Sequence, residues 1–543
     1  MTAAPDRPTA GDLVAHAHDT RVVVIGGGVA GLVAALECAR IGMSVTVVEA
    51  AAVLGGTVVS ADDDGVRLDL VADSFASAAP ELSALIDDLG LRDAVEPAAA
   101  DQVWIAGLRS SAVAGSSRTG AAPLPSASLL GIPANPWADD VRRFIGWRGA
   151  WRAYLDRLRP PLTIGHQRSL GALVRSRMGE RIADRMVAPL TVGGYGLNPD
   201  DVDVAAVLPG LNTALTRTGS LAGAVGQLLP ESGSESGREA GAASGTTAGI
   251  VARRRATLRG GMTGLIDALA ERLRDLGVDV RTGVRAERIE AATPSSAAPS
   301  SAEASAWRVV TAESIPTPDT EAGAVPGTDT ETGGVAGSAV AADLVIVATP
   351  EPAARRLLDP VLRAAALPAP EAGDPVDVVT LLLASPALDA RPRGTAVYPV
   401  PGTATARSVS HVTAAWPWLA EGLGAGLHVV RVVLPATPDG DRADADAAVL
   451  ARTQAEALLG VPLPADALRA AHRVTVTPAP PASRRGHADR TAAVRRAVAT
   501  APGIAVVGGW VAGSGIAAVV ADAVAESERA RSAALWGGGQ GAA

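Results

Sequence analysis

Gly26, Gly28 and Gly31 fall on a G-x-G-x-x-G spacing in the run Gly26-Gly27-Gly28-Val29-Ala30-Gly31, after a β-branched stretch and before a helix-like one. The three glycines serve separate ends, namely a tight turn, close approach of backbone N–H groups to a pyrophosphate, and close packing of helix on strand. Glu49 ends the next apolar stretch. At that spacing its carboxylate can accept hydrogen bonds from an adenosine ribose. An anion there disfavours a ribose 2′-phosphate, so FAD and NAD remain as dinucleotides and NADP recedes.

Other chemistries lack their residues. Cys38 is the only cysteine, and no lysine occurs among the 543 residues. That removes a disulfide framework, a Cys-x-x-Cys redox pair, a cysteine-rich zinc site, Schiff-base chemistry and a P-loop lysine. The seven histidines, His16, His18, His166, His411, His428, His472 and His487, include no pair at helical metal-site spacing, so no metal is assigned. With 48 basic against 57 acidic side chains and a net charge of −9, the chain has the wrong sign for coating nucleic acid, and no DNA or RNA partner is expected.

Positioning these residues requires a βαβ unit: a strand at 21–25, a helix to about residue 40 and a strand at 44–49. Further α/β elements are predicted as a helix at 262–276 and strands at 278–281 and 343–348. Strands at 376–384, 407–413 and 428–434 predict a second sheet, and 101–221 reads as helical. Residues 231–247, 293–305 and 311–338 are rich in Ser, Gly, Ala, Thr, Pro or Glu; they read as disordered insertions because they offer little apolar surface to offset the entropy of ordering. The uncharged run 503–521 is crowded with glycine and reads as strand, turn and helix start rather than a membrane span. The polar first twenty residues lack a signal-peptide pattern, which favours the cytoplasm.

Leu54-Gly55-Gly56 resembles the second glycine motif of the amine-oxidase-like flavoproteins, and the similarity runs on along the chain. Arg67 to Phe75 resembles the family segment that returns along the flavin. Ala188 to Tyr195, then Asn198-Pro199, is similar to the substrate-side loop of protoporphyrinogen and coproporphyrinogen oxidases. Leu258 to Met262 resembles the glycine-rich entry to a helix, and Pro502 to Trp510 with Gly513 to Ile516 resembles the closure over the flavin. The resemblance implies FAD, held by Gly26, Gly27, Gly28, Val29, Ala30, Gly31, Glu49, Ala50, Gly55, Gly56, Thr57, Val71, Ala72, Asp73, Ser74, Val284, Val474, Gly508, Ser514, Gly515 and Ile516. The chain departs from the family pattern at Val71, usually glycine, at Gly509, often polar, at Val474, often tryptophan, and at Ala415, commonly lysine.

The implied fold class is α/β: a discontinuous Rossmann-like FAD-binding domain with an α+β substrate domain and a helical subdomain. The FAD-binding domain takes 21–100, 251–292, 341–365 and 471–535; the helical subdomain 101–222; the substrate sheet 370–470. Insertions fill 223–250 and, around a short strand, 293–340. The implied reaction is oxidation of a tetrapyrrole porphyrinogen to the porphyrin, with O2 as acceptor and hydrogen peroxide as product. On the substrate side the candidates are Gly193, Gly194 and Tyr195, with backbone carbonyls around Gly193 accepting from pyrrole N–H groups. His487, after Gly486, reads as structural. A carotenoid desaturase, an amine oxidase and a non-catalytic FAD-binding scaffold stand as alternatives, and the oligomeric state is open.

Residues 137–159 combine five aromatic side chains with six arginines. As one helix they would align Val141, Phe144, Ile145, Trp151, Leu155 and Leu158 on an apolar face. Three readings follow: a solvated helix packed on the domain, a helix in peripheral contact with a membrane, or a substrate mouth where Arg142 and Arg148 attract propionates. The third favours coproporphyrinogen III, with four propionates, over protoporphyrinogen IX, with two.

Overall fold

The computed structural model describes residues 10–63, 65–99, 102–108, 120–159, 168–229, 255–292, 306–313, 338–362, 366–371, 373–437 and 442–536. Two of the three stretches read as disordered, 231–247 and 293–305, lie outside these residues. Of the third, residues 314–337 also lie outside, while its start is corrected, because residues 311–313 complete the strand Trp307–Glu313. Thr311 there is buried and donates from Oγ1 to Ser338 O at 2.8 Å.

The first strand, Arg21–Ile25, is the centre of a five-stranded parallel sheet in the order Asp279–Arg281, Ser44–Val48, Arg21–Ile25, Leu344–Val347, Ile504–Val506. Both faces are covered, which explains why these strands are apolar at nearly every position. Val22 and Val24 face the helices Val29–Ala39, Thr263–Asp275 and Ile516–Trp536, whereas Val23 and Ile25 face Val309, Leu357 and Trp510. Strand order reverses between Arg21–Ile25 and Leu344–Val347, the switch point where such sheets bind ligands beyond their carboxyl ends.

A second sheet of seven strands runs Leu468–Val476, Val376–Ala384, Leu427–Pro435, Ser408–His411, Ala396–Pro399, Val103–Leu108, Gly120–Pro123. Its last two strands correct the reading of 101–221 as helical from its start. Val103–Leu108 pairs in parallel with Ala396–Pro399, a partner distant in sequence that leaves no local signal. The strand expected at 407–413 is shorter, Ser408–His411, and turns into the short helix Val412–Ala415. One face of the sheet packs Val379, Leu381, Val430 and Val432 against Ala447, Ala451 and Ala455 of the helix Asp444–Leu459. The other carries Val378, Val433, Val474 and Val476 towards Leu70 and Val71 of the parallel-sheet domain.

The helical region, led by Asp139–Tyr154, has a core built on Phe144, Ile145, Leu173, Met186 and Leu190. The single apolar face expected of 137–159 does not form. Gly146, at φ 65° and ψ 177°, breaks the helix, and Arg181 and Arg185 cap the carbonyls of Ile145 and Phe144 at 2.8 and 3.1 Å. Beyond the break the buried face is Gly149, Ala150 and Ala153, so Trp151 and Leu158 turn outward with Trp147 and Tyr154. The run 503–521 divides into the strand Ile504–Val506, the turn helix Gly509–Ala512 and the start of Ile516–Trp536. Among the described residues no helix is long and apolar enough to cross a membrane.

Asp156 and Arg177, at 0% and 3% exposure, pair at 3.0 Å inside the helical region, and Asp156 also accepts from Leu221 N. Removing one partner strands the other as a buried charge. Asp156→Ala should therefore cost about 3–5 kcal/mol, read as an earlier urea midpoint of the helical signal; an unchanged midpoint contradicts the assignment.

Candidate functional site: a dinucleotide cradle and a glycine-ended helix

The turn after the first strand is set by backbone contact. A side chain on Gly31 would place its first carbon 1.8 Å from Gly26 O, and one on Gly26, at φ 112°, would lie 2.8 Å from Ala348 O. Helix, first strand and fourth strand thus meet with no room for a methyl group. Leu32 N makes the first helical bond, to Gly28 O at 3.0 Å, which leaves the N–H groups of Val29, Ala30 and Gly31 aimed out of the helix start.

Glu49 does more than end its strand. Its two carboxylate oxygens accept from Gly27 N at 2.6 Å and Ala51 N at 2.7 Å, so it braces the glycine turn as well as offering its remaining lone pairs outward. Gly55 forms a bridge with Gly28, Gly55 N donates to Gly27 O at 2.9 Å, and a side chain on Gly56 would meet Gly28 Cα at 3.3 Å. The two glycine motifs interlock. Ala50 is half-buried and Thr57 exposed beside them. Val284 N donates to Glu49 O at 2.9 Å and Gly283 N to Ala51 O at 2.8 Å, which ties Val284 to the same end.

The returning segment lies between the two sheets. Val71 and Val474 pack in one apolar cluster with Leu70, Val376, Val378 and Val476, and Ala72 packs on the parallel-sheet core. Asp73 takes Arg431 Nη1 at 2.6 Å and Arg255 Nη2 at 3.3 Å, and Ser74 donates to it at 2.8 Å. Burial alone would raise this carboxyl, yet the two arginines hold it at about 2. Asp69, by contrast, is pushed up to about 6 by burial, against the bond from Met262 N at 3.0 Å that caps the helix Thr263–Asp275. Neither Arg431 nor Asp69 stands out in the sequence, since their contacts join strands far apart in the chain.

The C-terminal closure reaches the same place. Gly508 lies against Ala30 and Ala348, and Val519 N makes the first bond of the last helix, to Gly515 O at 3.1 Å. The N–H groups of Ile516, Ala517 and Ala518 precede it, Ser514 N being held by Pro480 O. His487 is buried beneath this closure, its pKa lowered by burial, with Thr491 beside it donating to Val511 O. Cys38 is buried in the parallel-sheet domain, which pushes its thiol up to about 12 and leaves it unreactive.

Gly193, Gly194 and Tyr195 are not a loop, as the sequence suggests, but the last turn of the helix Ala188–Tyr195, capped by Gly196 at φ 68°. Gly196 N and Leu197 N bond back to Val192 and Thr191, so the carbonyls of the last turn point past the helix end. A side chain on Gly193 would come 2.2 Å from Tyr398 Cδ1 and 2.9 Å from Arg407 O, while one on Gly194 would meet open space. The Tyr195 hydroxyl is buried without a partner among the described residues, and burial raises its pKa. Arg142 is engaged elsewhere, paired with Asp139 and lying 4.1 Å over the Trp147 ring, and Arg148 is exposed.

The cradle fits a dinucleotide: Gly28 and Gly56 keep backbone bare where side chains would fill the approach, and the helix Val29–Ala39 begins there with N–H groups that no helical carbonyl takes. Comparison with known proteins agrees. A coproporphyrinogen III oxidase of Propionibacterium freudenreichii is 33% identical over 197 residues, which cover 36% of this chain and 35% of the relative. A protoporphyrinogen oxidase of Nicotiana tabacum is 27% identical over 221 residues, 39% of this chain and 40% of the relative. The chain thus spans little more than a third of the length of the curated relatives it matches. Among solved structures, a provisionally named protoporphyrinogen oxidase from Exiguobacterium sp. 255-15 shares the fold with TM-score 0.71 at 22% identity, covering 94% of this chain and 98% of that one. Reduced UDP-galactopyranose mutase shares it with TM-score 0.62 at 14% identity, covering 96% and 97%. The family described as flavin containing amine oxidoreductase matches residues 29–530, and the chain therefore belongs to it as an FAD-dependent oxidoreductase.

Proposed function

We propose that this protein is a porphyrinogen oxidase of haem biosynthesis that takes coproporphyrinogen III, or protoporphyrinogen IX, to the porphyrin. O2 accepts the electrons and leaves as hydrogen peroxide. The observation that carries the reading is the glycine-ended helix Ala188–Tyr195, whose last-turn carbonyls lie beyond its final helical bonds and where a side chain on Gly194 would meet open space. Such a surface suits a flat ring of pyrrole N–H donors. FAD, when bound, supplies the redox chemistry by accepting a hydride from a methylene bridge.

The chain's own residues bind, orient and exclude water. Gly26 to Gly31 receive the pyrophosphate, Glu49 and Ala50 the ribose, and Val284 the adenine side. Gly55, Gly56 and Thr57, Val71 to Ser74, Val474, Gly508 and Ser514 to Ile516 enclose the rest of the cofactor. Gly193, Gly194 and Tyr195 face the substrate. Val71 and Val474 keep the wall behind it dry.

A peripheral contact with a lipid surface belongs to the same reading. Trp147, Trp151, Tyr154 and Leu158 recur at the spacing of one helix face and are exposed, Trp147 by 68% and Leu158 by 77%. Trp137 packs against three of them, and Arg157 lies 5.4 Å over the Tyr154 ring. Aromatic rings flanked by arginines suit an anionic headgroup layer.

Incubating the purified yellow protein with each porphyrinogen should release peroxide in step with porphyrin formation; FAD-loaded protein that oxidises neither would overturn the proposal. Glu49→Ala should weaken FAD binding by about 10–100-fold, the loss of a charge-assisted hydrogen bond, measured by flavin fluorescence. Unchanged affinity would refute the role of Glu49. Vesicles containing phosphatidylglycerol should sediment the parent at low salt and not a Trp147→Ser, Trp151→Ser double variant; equal behaviour of the two removes the membrane contact.

A further inference from the structure

Arg407 lies where the glycine-ended helix meets the seven-stranded sheet. Its carbonyl packs against Gly193, and its guanidinium Nη1 is 4.0 Å from the position a side chain on Gly196 would take. Its one ion pair among the described residues is long, 3.6 Å to Asp374, a side chain 86% exposed, while the Arg407 side chain is only 21% exposed. The neighbouring arginines on this side are engaged: Arg431 and Arg255 hold Asp73, and Arg490 holds Glu351.

The surroundings connect Arg407 to the cofactor cradle. Gly373, next to Asp374, packs on Pro478 O, and a side chain on Gly509 would meet Ala479 Cβ at 3.0 Å. Ser514 N donates to Pro480 O at 3.2 Å. The strand that follows Arg407 pairs Ser408 with Val433, which packs on the Val71–Val474 wall. A half-buried cation with a weak partner therefore stands between the helix end and the closing turn. The Tyr195 hydroxyl, on the residue before Gly196, is buried and unpartnered among the described residues.

We propose that Arg407 is a specificity residue that binds a carboxylate of the tetrapyrrole substrate, with Asp374 holding the guanidinium in its absence; this rests on the function proposed above. The two recognition elements are complementary to one molecule. Helix-end carbonyls accept from the inner pyrrole N–H groups, and the guanidinium, offering paired donors, takes a peripheral propionate. Asp374 is the weaker partner, because an exposed pair at this distance contributes little.

The test uses the FAD-loaded protein and the fluorescence of coproporphyrin III and of its tetramethyl ester. Arg407→Gln should weaken coproporphyrin binding about tenfold or more, leave ester binding within about twofold, and raise KM for coproporphyrinogen more than it lowers kcat. Arg407→Lys should restore part of the loss. Asp374→Asn should tighten coproporphyrin binding, since it removes the competing carboxylate; a merely structural Arg407–Asp374 pair would instead make this variant resemble Arg407→Gln. Equal losses with acid and ester, or unchanged binding in Arg407→Gln, overturn the role of Arg407 alone. A parent that binds neither porphyrin and oxidises no porphyrinogen overturns this role together with the function on which it rests.

Discussion

The contact between Gly26 and Gly31 sets the architecture. With Gly31 Cα pressed on the carbonyl of Gly26, and Gly26 on that of Ala348, the helix Val29–Ala39 can start only where first and fourth strands separate. That point is the switch in strand order, so packing and ligand binding impose one geometry. Glu49 then fixes the turn from the neighbouring strand through Gly27 N and Ala51 N. A charge that reads as a ligand contact is also a structural brace, worth having in a buried turn whose amides would otherwise lack partners.

The two sheets are joined by charge as well as by apolar surface. Arg431, from the centre of the seven-stranded sheet, reaches Asp73 and the carbonyl of Asp69 on the returning segment. Taking these groups out of water is costly, and the two-pronged geometry and the second arginine, Arg255, offset it. Because the folded pKa of Asp73 lies below its ordinary value, its contribution to stability is present above about pH 4 and is lost as pH falls towards 2. Asp69 works oppositely. Its raised pKa means that the folded chain holds the proton more tightly, so stability from this group declines as pH rises from about 4 to 6.

What was legible in the sequence was local. The glycine turn, Glu49 and the βαβ opening are encoded within about thirty consecutive positions, by spacing and β-branching. The strand Val103–Leu108 was missed because its partner, Ala396–Pro399, is supplied by a distant part of the chain. The break at Gly146 had a signal that a single helical register obscured: Gly149, Ala150 and Ala153 form a small-residue face that can pack closely, while Trp147, Trp151, Tyr154 and Leu158 lie opposite. Arg431, Arg407 and the Asp156–Arg177 pair could not be chosen from 48 basic residues without knowing which pairs of elements meet.

The position of Ala415 bears on which flavoenzyme this is. It is buried with Leu382, Val412, Trp416, Leu419 and Val429, where a lysine ammonium would lose much of its hydration; the carboxylates that line the same cavity, Asp69 and Asp73, are already engaged, Asp73 by Arg431 and Arg255 and Asp69 by Met262 N. Val71 and Val474 continue the apolar character on the adjoining wall. An amine substrate needs a polar or aromatic cage for its nitrogen, and the indoles of Trp416 and Trp418 are the aromatic groups of these two clusters. A large ring that presents its own N–H donors, and carries its charge at the periphery, asks only for a dry wall, bare carbonyls and a cation at the rim.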